Sequence, residues 1–318
     1  MHSSKKNFII IFHLVICLCL FLNADAYAAE KSSNSFTLTV VLTNDFHDYD
    51  PYALARKATI IKQIRATSKN VLLLDAGDLY ARGPYHQVFY GEMEMAAYNA
   101  MKYDVWELGN NEFKGHPDQA QTDWKIVNLV NQANFPTLCA NIKTTDGAYL
   151  PGVSPYTFKE VNGLNVGIIG VSSMKVKGYP QASNKIVEDP VATVAKLIPQ
   201  VREQSDIQIV LSHAGLSADV NMDMKLAASG ISLIIGAYDH YVIKQPIYRT
   251  GGIPIVQAGG ESNIYIGKID LNYENRNGKW VLMSQQGELI PITDKVPMDP
   301  EIKRIVDQYL ANVSKPAA

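Results

Sequence analysis

Short apolar runs rich in β-branched residues recur along this chain, at residues 36–42, 71–74, 105–108, 165–171, 207–211, 231–235 and 253–256. Between them lie amphipathic stretches at 52–67, 93–102, 123–131 and 191–204. This alternation constrains the fold more than any other feature. It predicts an α/β sandwich whose sheets are well buried, because apolar strands of this kind need cover. Near the end, runs at 264–273 and 279–285 flank Asn277-Gly278, a strong hairpin signal. Residues 299–312 carry Ile302, Ile305, Val306, Tyr309 and Leu310 at helical spacing and read as a closing helix. A length of 318 residues is ample for a large core.

The N-terminus carries a targeting pattern. Lys5 and Lys6 precede an apolar stretch at 8–22, and Ala26-Tyr27-Ala28 fits a small-x-small cleavage site. The expectation is a secretory signal peptide over 1–28, cut after Ala28, and a periplasmic or secreted mature protein with no stable membrane anchor. A permanent anchor would need roughly 20 apolar residues, more than the stretch supplies. Cys17 and Cys19 lie inside that stretch, so the mature chain keeps only Cys139, expected as a buried structural thiol. The remainder reads as one domain over 29–298, followed by a C-terminal helix and tail over 299–318. The formal net charge of −2 gives no basic surplus for nucleic acid and no polybasic run for an anionic membrane.

Polar residues sit just after the apolar runs: Asp45 and His47, Asp78, Asn110, His213, and Asp239 with His240. Each has an ordinary explanation. Asp78 could cap a helix, Asn110 could sit in a turn beside Gly109, and the histidines could be hydrogen-bonded core residues. Ligands in α/β sheets, however, gather at the carboxyl ends of strands. Carboxylates, an amide and imidazoles delivered to one edge would build a metal site.

The motifs that contain these residues resemble those of the metallophosphoesterase (calcineurin-like) superfamily, and within it the catalytic domain of the periplasmic 5'-nucleotidase family. Thr43-Asn44-Asp45-Phe46-His47 is similar to the opening motif, and Asp75-Ala76-Gly77-Asp78 to the second. Gly109-Asn110-Asn111-Glu112-Phe113 resembles Gly-Asn-His-Glu-Phe, and Ser212-His213-Ala214-Gly215 matches the fourth motif. Gly236-Ala237-Tyr238-Asp239-His240 resembles Gly-Gly-His-Asp-His. The resemblance runs from about Phe36 to about Ile292.

It implies a four-layer αββα sandwich and two divalent metal ions (Mn, Zn, Fe or Co). Carried over by position, Asp45, His47, Asp78 and His240 hold the first ion. Asp78, Asn110, His213 and the residue at 238 hold the second. Two positions depart from the family pattern. Asn111 stands where the family has a catalytic His, and an amide has no proton to transfer. Tyr238 stands where the family has a ligating His, and a neutral phenol is the poorer ligand. The implied protein has one tight metal site and one weak or altered one. Arg82, shortly after Asp78, is a candidate for binding substrate phosphate. The family's C-terminal nucleotide-binding domain is expected to be absent, because residues 299–312 resemble the linker helix that leads to it.

The leading expectation is an exported phosphoric ester hydrolase acting on a small phosphorylated molecule. The alternatives are a non-catalytic metal- or anion-binding protein on the same fold, and a sulfur-group hydrolase of the thiosulfohydrolase branch. The targeting pattern yields a direct prediction. N-terminal sequencing of exported protein should begin at or near Ala29, and recovery of an uncut, membrane-embedded chain would overturn the export reading.

Overall fold

The computed structural model describes residues 34–47, 49–260 and 265–313. The signal-peptide reading with Cys17 and Cys19, the residue Asp48, and the Ile264 start of the hairpin lie outside the described residues.

One sheet has seven strands. They are β1 (Ser35–Thr43), β2 (Val71–Asp75), β3 (Val105–Glu107), β4 (Thr137–Leu138), β6 (Val153–Ser154), β13 (Tyr265–Arg276) and β14 (Lys279–Pro291). Their order is β14-β13-β1-β2-β3-β4-β6. The run from β1 to β6 is parallel, and β13 pairs antiparallel with both β1 and β14. The second sheet has five strands: β7 (Tyr156–Val161), β8 (Leu164–Ser172), β10 (Ile207–His213), β11 (Ile231–Gly236) and β12 (Ile255–Val256). Its order is β12-β11-β10-β8-β7, parallel except for β7. A small ribbon pairs β5 (Ile142–Thr144) with β9 (Lys185–Val187). The helices are α1 (Ala53–Thr67), α2 (His86–Phe89), α3 (Glu92–Met101), α4 (Gln119–Gln132), α5 (Pro190–Glu203), α6 (Leu216–Lys225) and α7 (Pro300–Val313).

The twofold alternation of strand side chains sorts the core into three layers. Leu38, Val40 and Leu42 of β1 face Val166 and Ile168 of β8 and Ile209 and Leu211 of β10 between the sheets. Val41, on the opposite face of β1, packs in the cluster that holds Leu54 and Ile61 of α1. Ile169, Val171 and Val210 face outward from the second sheet toward Val194 and Val201 of α5. The result is a four-layer αββα sandwich. The central parallel strands of each sheet are covered on both faces, which is why they read as near-continuous apolar runs, whereas β14 at one edge leaves Val281 and Met283 exposed.

Local signals place the element ends. The Asp118 carboxylate accepts the Gln121 N–H at 2.9 Å, so α4 begins before the amphipathic pattern does. Asp189 accepts the Ala192 N–H at 2.8 Å, and Pro190 opens α5. Asn277 (φ 57°) and Gly278 (φ 81°) supply the two successive left-handed residues that a tight hairpin needs. Helix α6 and the short strands β4 to β7 and β9 had no clear periodic signature. The run at 253–256 contributes only two strand residues, Ile255–Val256. Cys139 is a buried free thiol. No helix among the described residues is long and apolar enough to cross a membrane.

Helix α7 packs into the first helical layer. Asp299 accepts the N–H groups of Glu301 and Ile302 at 3.1 and 3.2 Å and takes an ion pair from Lys62 of α1. Ile302 and Val306 lie in the same core cluster as α1 and α3. Truncating Ile302 to Ala should therefore cost about 2–4 kcal/mol in urea unfolding. Val281→Ala, at an exposed position of β14, should stay within about 0.5 kcal/mol. Equal effects would show that the terminal helix is not part of the core.

Candidate metal centre

Five parallel strands end at one edge of the sandwich. Asp45 and His47 follow β1, Asp78 follows β2, Asn110 and Asn111 follow β3, His213 ends β10, and Tyr238 and His240 follow β11. The backbone there is unusual. Asp45, His47, Asp78, Tyr238 and His240 all have positive φ, between 51° and 80°, as do Ala81 (76°) and Arg82 (92°). Such conformations cost of order 1–2 kcal/mol each in non-glycine residues and persist only where the surroundings impose them. The imposing contacts are visible. Asp45 N–H donates to Gly77 O at 2.9 Å, and Ala76 N–H donates to Thr43 O at 3.0 Å. A Cβ on Gly77 would come within 2.6 Å of Gly109 N and 2.8 Å of His213 Nδ1, so the close approach of three loops requires glycine.

The side chains converge on two overlapping groups, Asp45–His47–His240 and Asp45–Asp78–His213, whose ligand atoms lie within 4.8 Å of one another in each group. His47 Nε2 is 3.7 Å from Asp45 Oδ1 and 3.6 Å from Asp78 Oδ2. His213 Nε2 is 3.7 Å and 3.2 Å from the same two oxygens. His240 Nε2 lies 3.2 Å from Asp45 Oδ1. The rings are aimed by backbone carbonyls: His47 Nδ1 meets Ala81 O at 2.8 Å, and His213 Nδ1 meets Ala76 O at 2.6 Å. A carbonyl only accepts, so each Nδ1 carries the proton and Nε2 faces the cluster. Asp45 Oδ2 is fixed by Asn44 Nδ2 at 2.7 Å and by Tyr238 N–H at 3.1 Å. Asp45 Oδ1 and His213 Nε2, both buried, make no hydrogen bond. Orphaned carboxylate and imidazole atoms facing one another are a donor set that fits a divalent ion.

Charge dominates the electrostatics. Burial pushes the Asp45 carboxyl up, but His213, His240 and His47 outweigh it and hold the group below the usual carboxylate range. Asp78 is lowered in the same way, against its burial, chiefly by His213. Burial alone would depress His213, yet Asp78 and Asp45 raise it well above an ordinary imidazole.

The remaining expected residues are placed differently. Asn111 donates to Asp78 twice, from its N–H to Oδ1 at 2.7 Å and from its amide Nδ2 to Oδ2. Asn110 turns its Nδ2 to the Tyr179 hydroxyl at 2.8 Å. The Tyr238 ring stands edge-on to His213, with centroids 6.0 Å apart. Arg82 is exposed beside Ala81. The helix-cap reading of Asp78 fails, because α2 starts only at His86. His86 opens α2 and His116 follows the turn Glu112–Lys114, and neither joins the cluster. Asp45 stands in both groups, whereas the resemblance makes Asp78 the shared ligand.

Three supporting residues had no assigned role in the sequence. Glu112 accepts the N–H groups of Asp78 at 3.2 Å and Leu79 at 2.8 Å. Burial and the charge of Asp78 push its carboxyl up to about 8. Asn44 links Asp45 to the loop after β12 by accepting the Ala258 N–H at 3.0 Å. Both lie inside recognised motifs, which was the available signal. Tyr179 had none.

Residues 38–241 match the family model described as Calcineurin-like phosphoesterase. Among curated proteins, the Trifunctional nucleotide phosphoesterase protein YfkN of Bacillus subtilis is 26% identical, over 86% of this chain and 20% of its own length. Human 5'-nucleotidase is 26% identical, over 87% of this chain and 53% of its own length. The chain thus spans about half or less of these relatives. The crystal structure of calcineurin-like phosphoesterase YfkN superposes with a TM-score of 0.75 at 24% identity, covering 87% of this chain and 98% of that one. These relatives are hydrolases by name.

The departures at positions 111 and 238 lead to an expectation of unequal metal occupancy. Elemental analysis after dialysis should give nearer one ion than two per chain, with a second taken up only in excess Mn or Zn. Two tightly retained ions would contradict the inequality, and none even after addition would remove the metal centre altogether.

Proposed function

The chain belongs to the calcineurin-like phosphoesterase family, and from that premise we propose that it is an exported, metal-dependent hydrolase of small phosphorylated molecules. The observation that carries this reading is the buried meeting of Asp45 and Asp78 with three inward-facing imidazoles. When bound, divalent ions supply an acidified water and polarise the phosphoryl oxygens. Asp45, His47, Asp78 and His240 form the tight site in this reading. Asp78, Asn110 and His213, with Tyr238 beside them, form the weaker one. Arg82 adds positive potential at the rim, where a phosphate would approach.

Asn111 sets the substrate preference. Its amide can orient a phosphoryl oxygen by hydrogen bonding but cannot protonate a departing alkoxide. General acid catalysis is typically worth about 10²–10⁴-fold, so esters of poor leaving groups lose that factor and activated esters do not. A binding-protein reading is supported by one specific contact: Asn111 engages both oxygens of Asp78, which holds that carboxylate back from an ion.

The two readings separate kinetically. With both metals supplied, nitrophenyl phosphate should be hydrolysed and nucleoside 5'-monophosphates should be at least about 100-fold slower. Asn111→His should recover rate mainly for the alkyl esters. Equal acceleration of both substrates would remove the leaving-group role of position 111. Complete inertness of the metal-loaded protein and of this variant on every ester would leave the binding-protein reading.

A further inference from the structure

Beside the carboxylate–imidazole cluster lies a cavity of about 790 Å³ that the ligand set does not use. Its inner wall is placed by the chain itself. Ala214 follows His213 and Asp239 precedes His240, so each of these lining residues has its Cα about 3.8 Å from that of a cluster histidine. Tyr238 stands at the boundary. Its ring is edge-on to His213, and a Cβ on Gly215 would meet both Tyr238 Cδ1 and Asp239 Oδ2 at 3.1 Å. One side of α6 forms the floor, where Leu216, Val220 and Met224 recur every fourth residue. Met174 and Tyr241 complete the apolar lining. Met174, Met224 and Tyr241 leave 41%, 51% and 52% of their surface exposed, so two thioethers and one aromatic face are open to a ligand.

Carboxylates hold the cavity open without competing for its contents. Asp239 accepts the Leu216 N–H at the start of α6, and Asp189 accepts the Ala192 N–H at the start of α5. Each is thereby engaged by a helix N-terminus. The far wall is the loop that carries Arg249. Asp223 of α6, fully buried, accepts the N–H groups of Gly251 at 3.0 Å and Ile253 at 2.7 Å. A Cβ on Gly251 would collide with Asp223 O. A buried acid thus clamps this loop to α6, and the cavity is formed before any ligand arrives.

We propose that this cavity receives the aromatic group of a phosphoester, and that the substrates of the chain are aryl phosphate monoesters. The substrate class rests on the hydrolase reading above; the aryl-binding cavity itself does not. Thioethers make favourable contacts with aromatic rings, and a tyrosine face stacks on them. In the reaction, the oxygen of water joins the phosphorus at the carboxylate–imidazole cluster. The P–O bond to the ring breaks with its electron pair on the departing aryloxide. Of the two protons of the water, one stays on the phosphate and one reaches the phenol through solvent. A phenol ionises at about pH 10, as the tyrosine side chain does, so aryloxide leaves without the acid that Asn111 lacks. The apolar lining and the missing acid thus select the same leaving group.

The test is calorimetric, on the metal-loaded protein, with metal content measured before and after each titration. The probes are phenylphosphonate and methylphosphonate, neither of which has an ester bond to hydrolyse. A ring that hides roughly 60 Å² of apolar surface gains about tenfold in affinity. Phenylphosphonate should therefore bind at least about tenfold tighter than methylphosphonate. Met224→Ala and Tyr241→Ala should each cut that gap by about threefold. Tyr241→Phe should preserve it, and Met283→Ala, at an exposed position of β14, is the control. Cyclohexylphosphonate, apolar but without a π face, should bind more weakly than phenylphosphonate, and equal affinity overturns the aromatic assignment. A gap that is absent, or that neither alanine variant changes, overturns the cavity. If every ester proves inert while the gap and its variant dependence persist, the hydrolase reading falls with its substrate class and the aryl-binding cavity stands. If nitrophenyl phosphate is turned over but no gap exists, the reverse holds.

Discussion

Two carboxylates, Asp45 and Asp78, are almost wholly withdrawn from solvent at the same edge of the sandwich. Like charges so placed are mutually unfavourable in a low dielectric, and burial adds its own cost. They are tolerated because three imidazoles reach them from loops of both sheets. That requirement explains much of the architecture. Neither sheet alone could assemble the site, so the packing between them fixes its dimensions. Small residues at the roots of the loops, Ala76, Ala237 and Ala258, belong to the inter-sheet core. The site is thereby anchored in the core between the sheets, and the left-handed backbone of its residues is held there by contacts between loops.

The two aspartates of Asp75-Ala76-Gly77-Asp78 show how environment divides one residue type between roles. Asp75 accepts hydrogen bonds from Thr43 at 2.6 Å and Tyr98 at 2.9 Å, and from the Gly77 N–H at 3.0 Å. Burial raises its pKa to about 6. It braces the end of β1 against β2 and the helical layer. Asp78, three residues later and past a left-handed glycine, points to the other side and meets the imidazoles. Glu112 then secures the turn between them and α2 by taking two successive N–H groups. The Asp78 carboxylate is positioned by acids that stand outside the cluster.

The layer order was legible because a strand covered on both faces has no polar side to show, as with Val71–Asp75 of β2. Helix α6 was less legible, since it buries Asp219 and Asp223 along with Met222 and so blurs its own amphipathic pattern. At the site, motif order brought out Asp45, His47, Asp78, His213 and His240 because each lies two to five residues past the end of an apolar run. The orientation of Asn110 was not legible. Its partner Tyr179 is 69 residues away on a turn without periodic pattern, and a contact between two loops leaves no local trace. The same holds for the carbonyls of Ala76 and Ala81, which orient imidazoles through backbone atoms common to every residue.

The two carboxylates of the cluster differ in what already holds them. Asp78 is already engaged: both its oxygens accept from Asn111, and Oδ2 also lies 3.2 Å from His213. A hydrogen bond to a charged group is worth about 1.5–3 kcal/mol, so an ion that draws on Asp78 Oδ2 must displace or share that donor. An amide cannot ease the competition by losing a proton, as an imidazole in that position could. Asp45 is in the opposite situation. Its Oδ2 is fixed from behind by Asn44 and the Tyr238 N–H, while Oδ1 has no hydrogen bond and faces all three histidines. In the proposed reading Asn111 would therefore act twice: an amide has no proton to give a leaving group, and its hydrogen bonds to Asp78 leave Asp45 Oδ1 as the carboxylate oxygen without one.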